Sequence, residues 1–534
     1  MEDHTLVSSK EKTFSTLLSD VTRIVGEQFI LTDQDNRSLY SADLSYRSAE
    51  LVAAVVQPGS VAELASVVRV CTEAGLAVVP RGGGMSYTGG YTPEHPHCVC
   101  VDTSRLNHIR EINVNDRYVV VEAGCTWKSL NEALKPLGVR TPFWGPFSGK
   151  FATIGGALSQ NAVSYGSGLY GTAADSVLGL QVVLADGSLI TTGSGAHESA
   201  LPFFRHFGPD ITGLFTSDAG AFGIKAVVVL KLIEAPREYQ CLSYAFDNLK
   251  DALAAQADIA RLQVASDCYC FDPFNNADFE RKGVTFEESL SLAAKVARRN
   301  GIQGVKELAK IALSGKNVLR GVRYSLHLTL PGLTRTVVDE HAALVNALCL
   351  DHGGLSITNT IPVAHQSSAF ENIRLVMMGP TGDIWLPTHG IFPSSKLYEV
   401  VSAFDRLVEK ERPSLDQHGI RTAWTIVTTG QEFLFEPFLY WHDELGDLRL
   451  SHIEPEFADE WRSLNREPQR RGYALEFRNQ IRDLLDQCGG LHLQLGRFYP
   501  YLSVTRDRGL NNRILEIKQV LDPKGLMNPG VLGL

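Results

Sequence analysis

The chain has 534 residues, 44% of them hydrophobic and 21% charged, the balance of a soluble globular protein with material for more than one core. That excludes a disordered chain and a low-complexity polymer. With 60 acidic against 50 basic residues the formal net charge is −10, which argues against nonspecific nucleic-acid binding.

The first 40 residues read as a helical lead-in, with Leu17, Leu18, Val21, Ile24 and Val25 at helical spacing. The start, Met1-Glu-Asp-His4, lacks the apolar run of a signal peptide. No apolar stretch reaches about 18 residues, so no transmembrane helix is expected. Leu51–Val56 reads as a buried strand. Ser60 is an N-cap with Glu63 three residues on, a capping box opening a helix that Gly75 ends. Leu76–Val79 is the next strand, and this β-α-β unit runs straight into Pro80-Arg-Gly-Gly-Gly-Met-Ser-Tyr-Thr-Gly-Gly90. Further strands are expected at Tyr118–Glu122, Leu178–Leu184 and Ala226–Leu232, with a short helix over Thr126–Leu134. Past residue 236 the texture changes. Helical periodicity dominates 248–315, and strand-like Arg323–Leu330 and Thr422–Thr429 then mix with helices near 334–350 and 395–410. Asn511–Leu521 is an amphipathic helix closed by Asp522-Pro523.

Nine cysteines are spread along the chain. Cys98/Cys100 and Cys268/Cys270 are C-x-C pairs on strand-like runs, where a spacing of two points both side chains the same way. No C-x-x-C and no paired Cys/His set has zinc spacing, so no metal site is expected. Reduced core cysteines make a cytoplasmic location the default.

Three glycine clusters carry the chemistry. Arg81–Gly90 is the densest. Glycine lets the backbone approach a ligand closely, and successive amides in such a loop form a concave anion site whose natural guest is a phosphate. No Gly-Lys-Ser/Thr follows, and the loop is not a G-x-G-x-x-G opening a helix. The competing explanation is a tight strand-to-strand connection. The second cluster is Phe151-Ala-Thr-Ile-Gly-Gly-Ala-Leu-Ser-Gln-Asn-Ala-Val-Ser-Tyr-Gly-Ser-Gly168, which leads to a hairpin signal at Asp186-Gly187. The third spans Gly213–Ile224.

In order, Pro80–Gly90, Thr153-Ile-Gly-Gly-Ala-Leu-Ser-Gln-Asn-Ala162, Gly179-Leu-Gln-Val-Val-Leu-Ala-Asp-Gly187, Ala221-Phe-Gly-Ile224 and the ending Leu521-Asp-Pro-Lys-Gly-Leu-Met-Asn-Pro-Gly530 resemble the vanillyl-alcohol oxidase and p-cresol methylhydroxylase family of FAD enzymes. The resemblance implies an α+β fold. An FAD-binding domain of two α/β subdomains would take residues 1–235. A substrate or cap domain of antiparallel sheet flanked by helices would take 236–502, and a tail, 503–534, would return to the first domain. It implies that Arg81, Gly82, Gly83, Gly84, Met85, Ser86, Thr88, Gly89 and Gly90 hold the FAD pyrophosphate. Gly155, Gly156, Ser159 and Asn161 would line the flavin, Gly223 and Ile224 would meet the adenine or ribose end, and Asn528 would sit by the isoalloxazine.

On the substrate side, His389 in Trp385–Pro393 lies near the point where some relatives attach the flavin 8α-methyl to a cap histidine. It is either that attachment point or a histidine hydrogen-bonded in the site. Met85 stands where other relatives place a linking histidine and cannot form the bond. If residues 491–497 are extended, His492 and Gln494 share one face, opposite Leu491, Leu493 and Leu495, which would pack in a core. Relatives acting on para-substituted phenols bind phenolate through Tyr and Arg near here, which implies Arg497 and Tyr499 as catalytic, with Tyr501 in the cavity; the alternative is a Tyr-rich core edge. A cation there would ease loss of the phenol proton. His327 alternates with apolar residues in Tyr324-Ser-Leu-His-Leu-Thr-Leu330 and is either a cavity residue or a satisfied core histidine.

The implied reaction is hydride transfer from a substrate carbon to flavin N5, giving a carbonyl or a quinone methide, with O2 or a redox carrier as electron acceptor. The same fold serves FAD-linked D-2-hydroxy-acid dehydrogenases of the D-lactate and glycolate type, which the loop Arg81–Gly90 and Phe435–His442 resemble as well. A noncatalytic flavin-binding module is the third reading. A homodimer is a possible assembly, as dimers are common among soluble enzymes.

Overall fold

The computed structural model describes residues 14, 16–45, 47–281, 319, 321–371, 373–378 and 381–534. The chain divides into two compact units. Unit 1 comprises Met1–Ala162, Ala173–Ile233 and Leu493–Leu534; unit 2 comprises Val163–Thr172 and Glu234–His492.

Unit 1 holds two sheets. In the first, the strands β1 (Ala54–Val56) and β2 (Ala77–Arg81) lie parallel to and on either side of β3 (Cys98–Asp102), with Ile30–Leu31 antiparallel on the outer edge. Between β1 and β2 runs α1 (Val61–Glu73). The Ser60 hydroxyl accepts from Glu63 N–H at 3.2 Å, as a capping residue should. The Glu63 carboxylate reaches Gly59 N–H at 2.7 Å, one residue earlier than a capping box would place it. Leu64, Val67, Val68 and Cys71 recur at helical spacing, are fully buried, and pack with Val78, Val99, Val101, Val183, Val227 and Met527. Each such side chain stabilises the fold by about 1.5–3 kcal/mol. Met527 arrives from the far end of the sequence. The tail lies against β2, with Val78 N–H donating to Leu526 O at 2.8 Å and Asn528 N–H to Val78 O at 2.9 Å.

The second sheet is antiparallel: Ile109–Asn113, β4 (Tyr118–Glu122), β6 (Ile224–Lys231), β5 (Val177–Val183) and Leu189–Thr191, in that spatial order. Gly187 turns the β5 hairpin at φ 78°. The helix α2 (Ile154–Gln160) opens on Thr153, whose Oγ1 accepts from Gly156 N–H at 3.2 Å.

Unit 2 is built on an eight-stranded sheet. Its strands are β7 (Glu238–Phe246), β8 (Asp267–Phe271), β9 (Tyr324–Gly332), β10 (Leu355–Ser356), β11 (Ile384–Pro387), β12 (Gly390–Phe392), β13 (Arg421–Thr429) and β14 (Glu432–Trp441), in the order β10-β7-β9-β8-β13-β14-β11, with β12 also on β14. Side chains alternate between the two faces of a strand, and the register sorts them. The row Tyr244, Leu326, Cys270, Ile426, Phe435 is almost fully buried. Helices cover it: α3 (Leu249–Leu262), α4 (Arg335–Asp351) and α5 (Ser394–Gln417). Gln256 on α3 bonds Ile426 O, Tyr244 bonds Asn346 on α4, and Phe404 on α5 meets Phe435 edge-on at 5.8 Å.

The opposite face carries a different composition. One cross-strand row reads Ser243, His327, Tyr269, Val427, Leu434, and the next reads Ser325, Phe271, Thr425, Glu436. β11 and β12 pair with β14 in one continuous register, which sets His389 directly opposite Glu436.

Two expectations for the chain past residue 236 fail. The stretch 248–315 is not helical throughout, because α3 stops at Leu262 and Asp267–Phe271 is a central strand; residues 282–315 lie outside the described ones. Residues 491–497 are not extended. Gln494 and Gly496 have φ of 29° and 55°, the chain makes a single bridge at Leu491, and Leu491 is 72% exposed instead of packed in a core. The alternating leucines imitate a strand, but the glycines on either side permit a turn.

Candidate functional site

The glycine loop follows β2 and lines a cleft in unit 1. Gly82, Gly83, Gly84, Met85 and Ser86 form one wall; Asp43, Tyr91, Ser148, Thr153, Gly156, Gln160 and Gln494 are among the others. The N–H groups of those five loop residues find no acceptor among the described residues. Buried amides are almost always satisfied, so donors without an acceptor on residues that line a cleft suit an anionic ligand.

The glycines are needed for contact as well as conformation. A Cβ on Gly82 would clash with Thr153 Oγ1, and one on Gly83 would overlap the Phe151 carbonyl oxygen. Gly84 has φ 70°. The loop is thus pressed against the start of α2 with no room for a side chain.

A second cleft adjoins the first, sharing Arg81, Gly82, Tyr91 and Gly156 with it. Gly155, Ser159, Gly220, Gly223, Ile224 and Lys225 line the remainder. A Cβ on Gly155 would sit 2.7 Å from that of Ala123, so α2 lies directly on the strand end. Gln160 donates to the Tyr91 hydroxyl at 2.7 Å, and burial pushes that phenol up from its ordinary pKa.

The other expected cofactor residues hold the loop from behind. Gly89 N–H donates to Asp43 at 2.6 Å. The Thr88 hydroxyl lies 3.1 Å from that of Ser86. Asn528, fully buried at φ 41°, donates to Gly90 O at 2.8 Å and Ala219 O at 2.6 Å. Asn161 ends α2 in the left-handed region and accepts from Ala174 N–H.

Arg497, expected to bind phenolate, lies in unit 1, where its guanidinium is spent on main-chain carbonyls. It donates to Gly89 O at 2.6 Å, Thr92 O at 2.8 Å and Pro529 O at 2.6 Å, and pairs with Glu94 at 3.0 Å. It ties the glycine loop to the C-terminal tail. Tyr499 is buried in the same unit, edge-on to Phe498 at 4.8 Å, and Tyr501 is half-buried nearby in sequence. Gln494 reaches the first cleft through the turn at 494–496, its N–H on Gln160 O. His389 belongs to unit 2, so the structure does not group it in one unit with Arg497 and Tyr499.

In unit 2, His492 is fixed at both nitrogens, Nδ1 at 2.6 Å from His389 O and Nε2 at 2.7 Å from Asp486. Its ring is 6.1 Å from that of His389. His327 is also enclosed, with Ser243 Oγ and Ser325 Oγ each 2.9 Å from a ring nitrogen. Ser325 donates onward to Asn276 Oδ1 at 2.7 Å, so it accepts from His327 Nε2–H and Ser243 donates to Nδ1. Burial, helped by the nearby His365, pushes His327 down to about 3. It is a neutral sheet residue and not a free cavity base.

What the sequence reading missed on this face is its aromatic character. Tyr269 stacks near His327 (5.7 Å), Phe271 (5.4 Å) and His365 (5.2 Å), and Tyr165 lies 4.4 Å from His365 and 5.2 Å from Phe370. The Tyr269 hydroxyl is buried and has no hydrogen-bond partner among the described residues. Glu436, in the row with Phe271 and Thr425, is pushed up to about 7 by burial. No local motif marks these residues; only strand register assembles them.

The cleft with its open amides is matched by comparison with known families. A family model for an FAD binding domain matches residues 52–193. Residues 52–193 are an FAD-binding domain. Its glycine cradle and unspent donors suit the pyrophosphate of that cofactor. Among curated proteins, the chain is 29% identical over 252 residues to the glycolate oxidase subunit GlcD of Bacillus subtilis, covering 46% of this chain and 52% of that one. It is 30% identical over 246 residues to a mitochondrial D-lactate dehydrogenase [cytochrome] of Arabidopsis thaliana, covering 46% and 41%. The chain thus spans about half the length of these relatives or less. Among solved structures, 4-ethylphenol oxidase from Gulosibacter chungangensis has a TM-score of 0.73 at 18% identity, over 98% of this chain and 97% of that one. p-Cresol methylhydroxylase has a TM-score of 0.73 at 17% identity over the same shares. The fold expected from the glycine loops and the tail is therefore the one present. Among the described residues no helix is long and apolar enough to cross a membrane.

Proposed function

We propose that the chain is an FAD-dependent oxidoreductase that removes a hydride from a carbon of a hydroxylated small molecule. The observation that carries this is the run of five open amides, Gly82–Ser86, on a cleft inside the FAD-binding domain. When bound, FAD supplies the two-electron acceptor. The chain's own work in unit 1 is to hold the anionic part of the cofactor on those amides, with Tyr91, Gln160 and Gln494 as the polar edge of the same cleft.

The substrate reading rests on unit 2. The aromatic face around Tyr165, Tyr269, Phe271 and Phe370 favours a para-substituted phenol or aromatic alcohol. A hydroxyl proton must leave with the hydride, and Glu436 and His389, opposite each other on that face, are groups able to accept one. The second reading, a D-2-hydroxy-acid dehydrogenase, is favoured by the names of the D-lactate and glycolate relatives. A cytoplasmic location accompanies either reading and is supported by nine free cysteines, eight of them buried.

The test is anaerobic mixing of the flavin-loaded protein with 4-alkylphenols, para-hydroxybenzyl alcohols, D-lactate and D-2-hydroxyglutarate, following flavin absorbance. Bleaching by the phenols or alcohols is expected. Bleaching by the hydroxy acids alone replaces it with the second reading, and bleaching by none leaves a binding module. Acid precipitation tests the attachment of the cofactor, since flavin found wholly in the supernatant removes His389 from the role of link.

A further inference from the structure

Lys225 is a residue that nothing in the glycine loops announces. It stands near the start of β6, where Ala226, Val227, Val228, Val229 and Leu230 follow as an unbroken apolar run. Its side chain is 2% exposed, yet it lines the second cleft. Nζ donates to Asp218 Oδ1 at 2.6 Å and to Ser159 Oγ at 2.7 Å. An ammonium carries three N–H groups, and the third finds no acceptor among the described residues. Asp218 is equally buried, and its Oδ2 has no hydrogen-bond partner within normal distance among the described residues.

This arrangement is costly unless it is used. Burying an ion pair carries a desolvation penalty that an apolar pair at the same place would avoid, so a buried pair is weak evidence of a stabilising role. Here Lys225 lines the second cleft together with glycine backbone at Gly155, Gly156, Gly220 and Gly223 and with the side chains of Arg81 and Ser159, while Asp218 stands behind it. Two of the ammonium's donors are fixed by partners that stand at set positions on the chain. That leaves one donor without an acceptor among the described residues, on a side chain that lines the cleft.

We propose that Lys225 donates its third N–H to a phosphate oxygen of the bound dinucleotide, with Asp218 and Ser159 as positioning residues that aim the ammonium. The inference rests on the FAD reading of unit 1. It adds a point charge beside the main-chain amides of the glycine loop, and it makes the affinity of the second cleft depend on this side chain.

The experiment is titration of the flavin-free protein with FAD, read by flavin fluorescence, and with ADP as a flavin-free probe, read calorimetrically. K225M/D218N removes both charges, so that no unpaired carboxylate is left in the interior. Binding of both ligands is expected to weaken about tenfold or more, the scale of one lost hydrogen bond to a charged group. The apo-protein should melt at or above the wild-type temperature, because the buried pair has gone. K225Q/D218N, which keeps an amide donor for Ser159 but removes both charges, should show the same loss and serves if the first double variant does not fold. Wild-type affinity for FAD and ADP in a folded variant overturns the role of Lys225, as does a loss that appears only with a lowered apo melting temperature. Failure of the wild-type protein itself to bind FAD overturns the cofactor reading, a separate result.

Discussion

The two units solve their chemical problems with different parts of the chain. In unit 1 the cleft is lined by main-chain amides, and the side chains that matter are struts: Arg497, Asn528 and Asp43 hold the glycine loop by its carbonyls and amides. In unit 2 the sheet face is lined by side chains, and its polar groups are buried imidazoles, phenols and carboxylates displaced from their ordinary pKa values. A ligand held by backbone tolerates little change in shape but is indifferent to pH. A face made of titratable side chains should behave in the opposite way.

The largest expected effect tests the first half of that contrast. In G83A the new methyl would overlap the Phe151 carbonyl, so the loop has to leave the start of α2. Loss of bound FAD on gel filtration is expected, with little change in the aromatic circular dichroism of unit 2. An alanine variant that retains flavin would show that the loop is not held by contact. R497M comes next. It strands three carbonyls and Glu94, each lost bond costing about 1 kcal/mol. A melting temperature lower by several degrees and a raised FAD dissociation constant are expected, with the pH profile of any activity unmoved. A shifted profile would return Arg497 to the substrate.

How far the sequence could be read follows the same division. Glycine is visible one residue at a time, because positive φ and close approach leave it as the suitable residue, so the loop Arg81–Gly90 and the second cluster were legible as backbone that lines a cleft. The return of Met527 and Asn528 to β2 was legible only through family resemblance, since nothing local in Leu526-Met-Asn-Pro predicts which strand it meets. Arg497 was misread because a guanidinium in an aromatic segment looks the same whether it faces ligand or carbonyls. Tyr269, His327 and Glu436 are far apart in sequence, and their company on one face depends on a cross-strand register that no periodicity reveals. His389 was noticed, but the residue facing it was not.

The pH contrast is tested by Asp272. Its carboxyl is 6% exposed and pushed up to about 8 by burial, opposed by the N–H of Asn275 and Trp424, with Asp405 adding to the rise. The unfolded chain releases that proton near pH 4. The folded form therefore holds a proton between about pH 4 and 8 that the unfolded form has lost. Its stabilising effect is fully present below pH 4 and is lost as pH rises through 8. D272N keeps the helix cap and removes the titration. Its melting temperature should fall less between pH 5 and 8 than that of the wild type, and FAD affinity should not change. His327 acts on the other side. Depressed to about 3, it withholds a proton that the unfolded chain takes up below about 6.5, so it costs stability as pH falls from there. H327Q should flatten the acid limb of the same curve, and an unaltered acid limb would mean that other groups set it.

The smallest effect sharpens the contrast within unit 1. Thr153 and Ser60 do the same job, each accepting from a helix N–H at 3.2 Å. Replacing either by alanine should cost about 1 kcal/mol of stability. Their surroundings differ. Ser60 opens α1, whose working face is the apolar core, whereas Thr153 lines the first cleft and stands against Gly82. If the cofactor is held by the fit between the glycine loop and α2, T153A will weaken FAD binding severalfold beyond its effect on melting, and S60A will lower melting alone. Equal losses of affinity in the two variants would mean that binding follows global stability and that the contact between loop and helix carries no separate part of it.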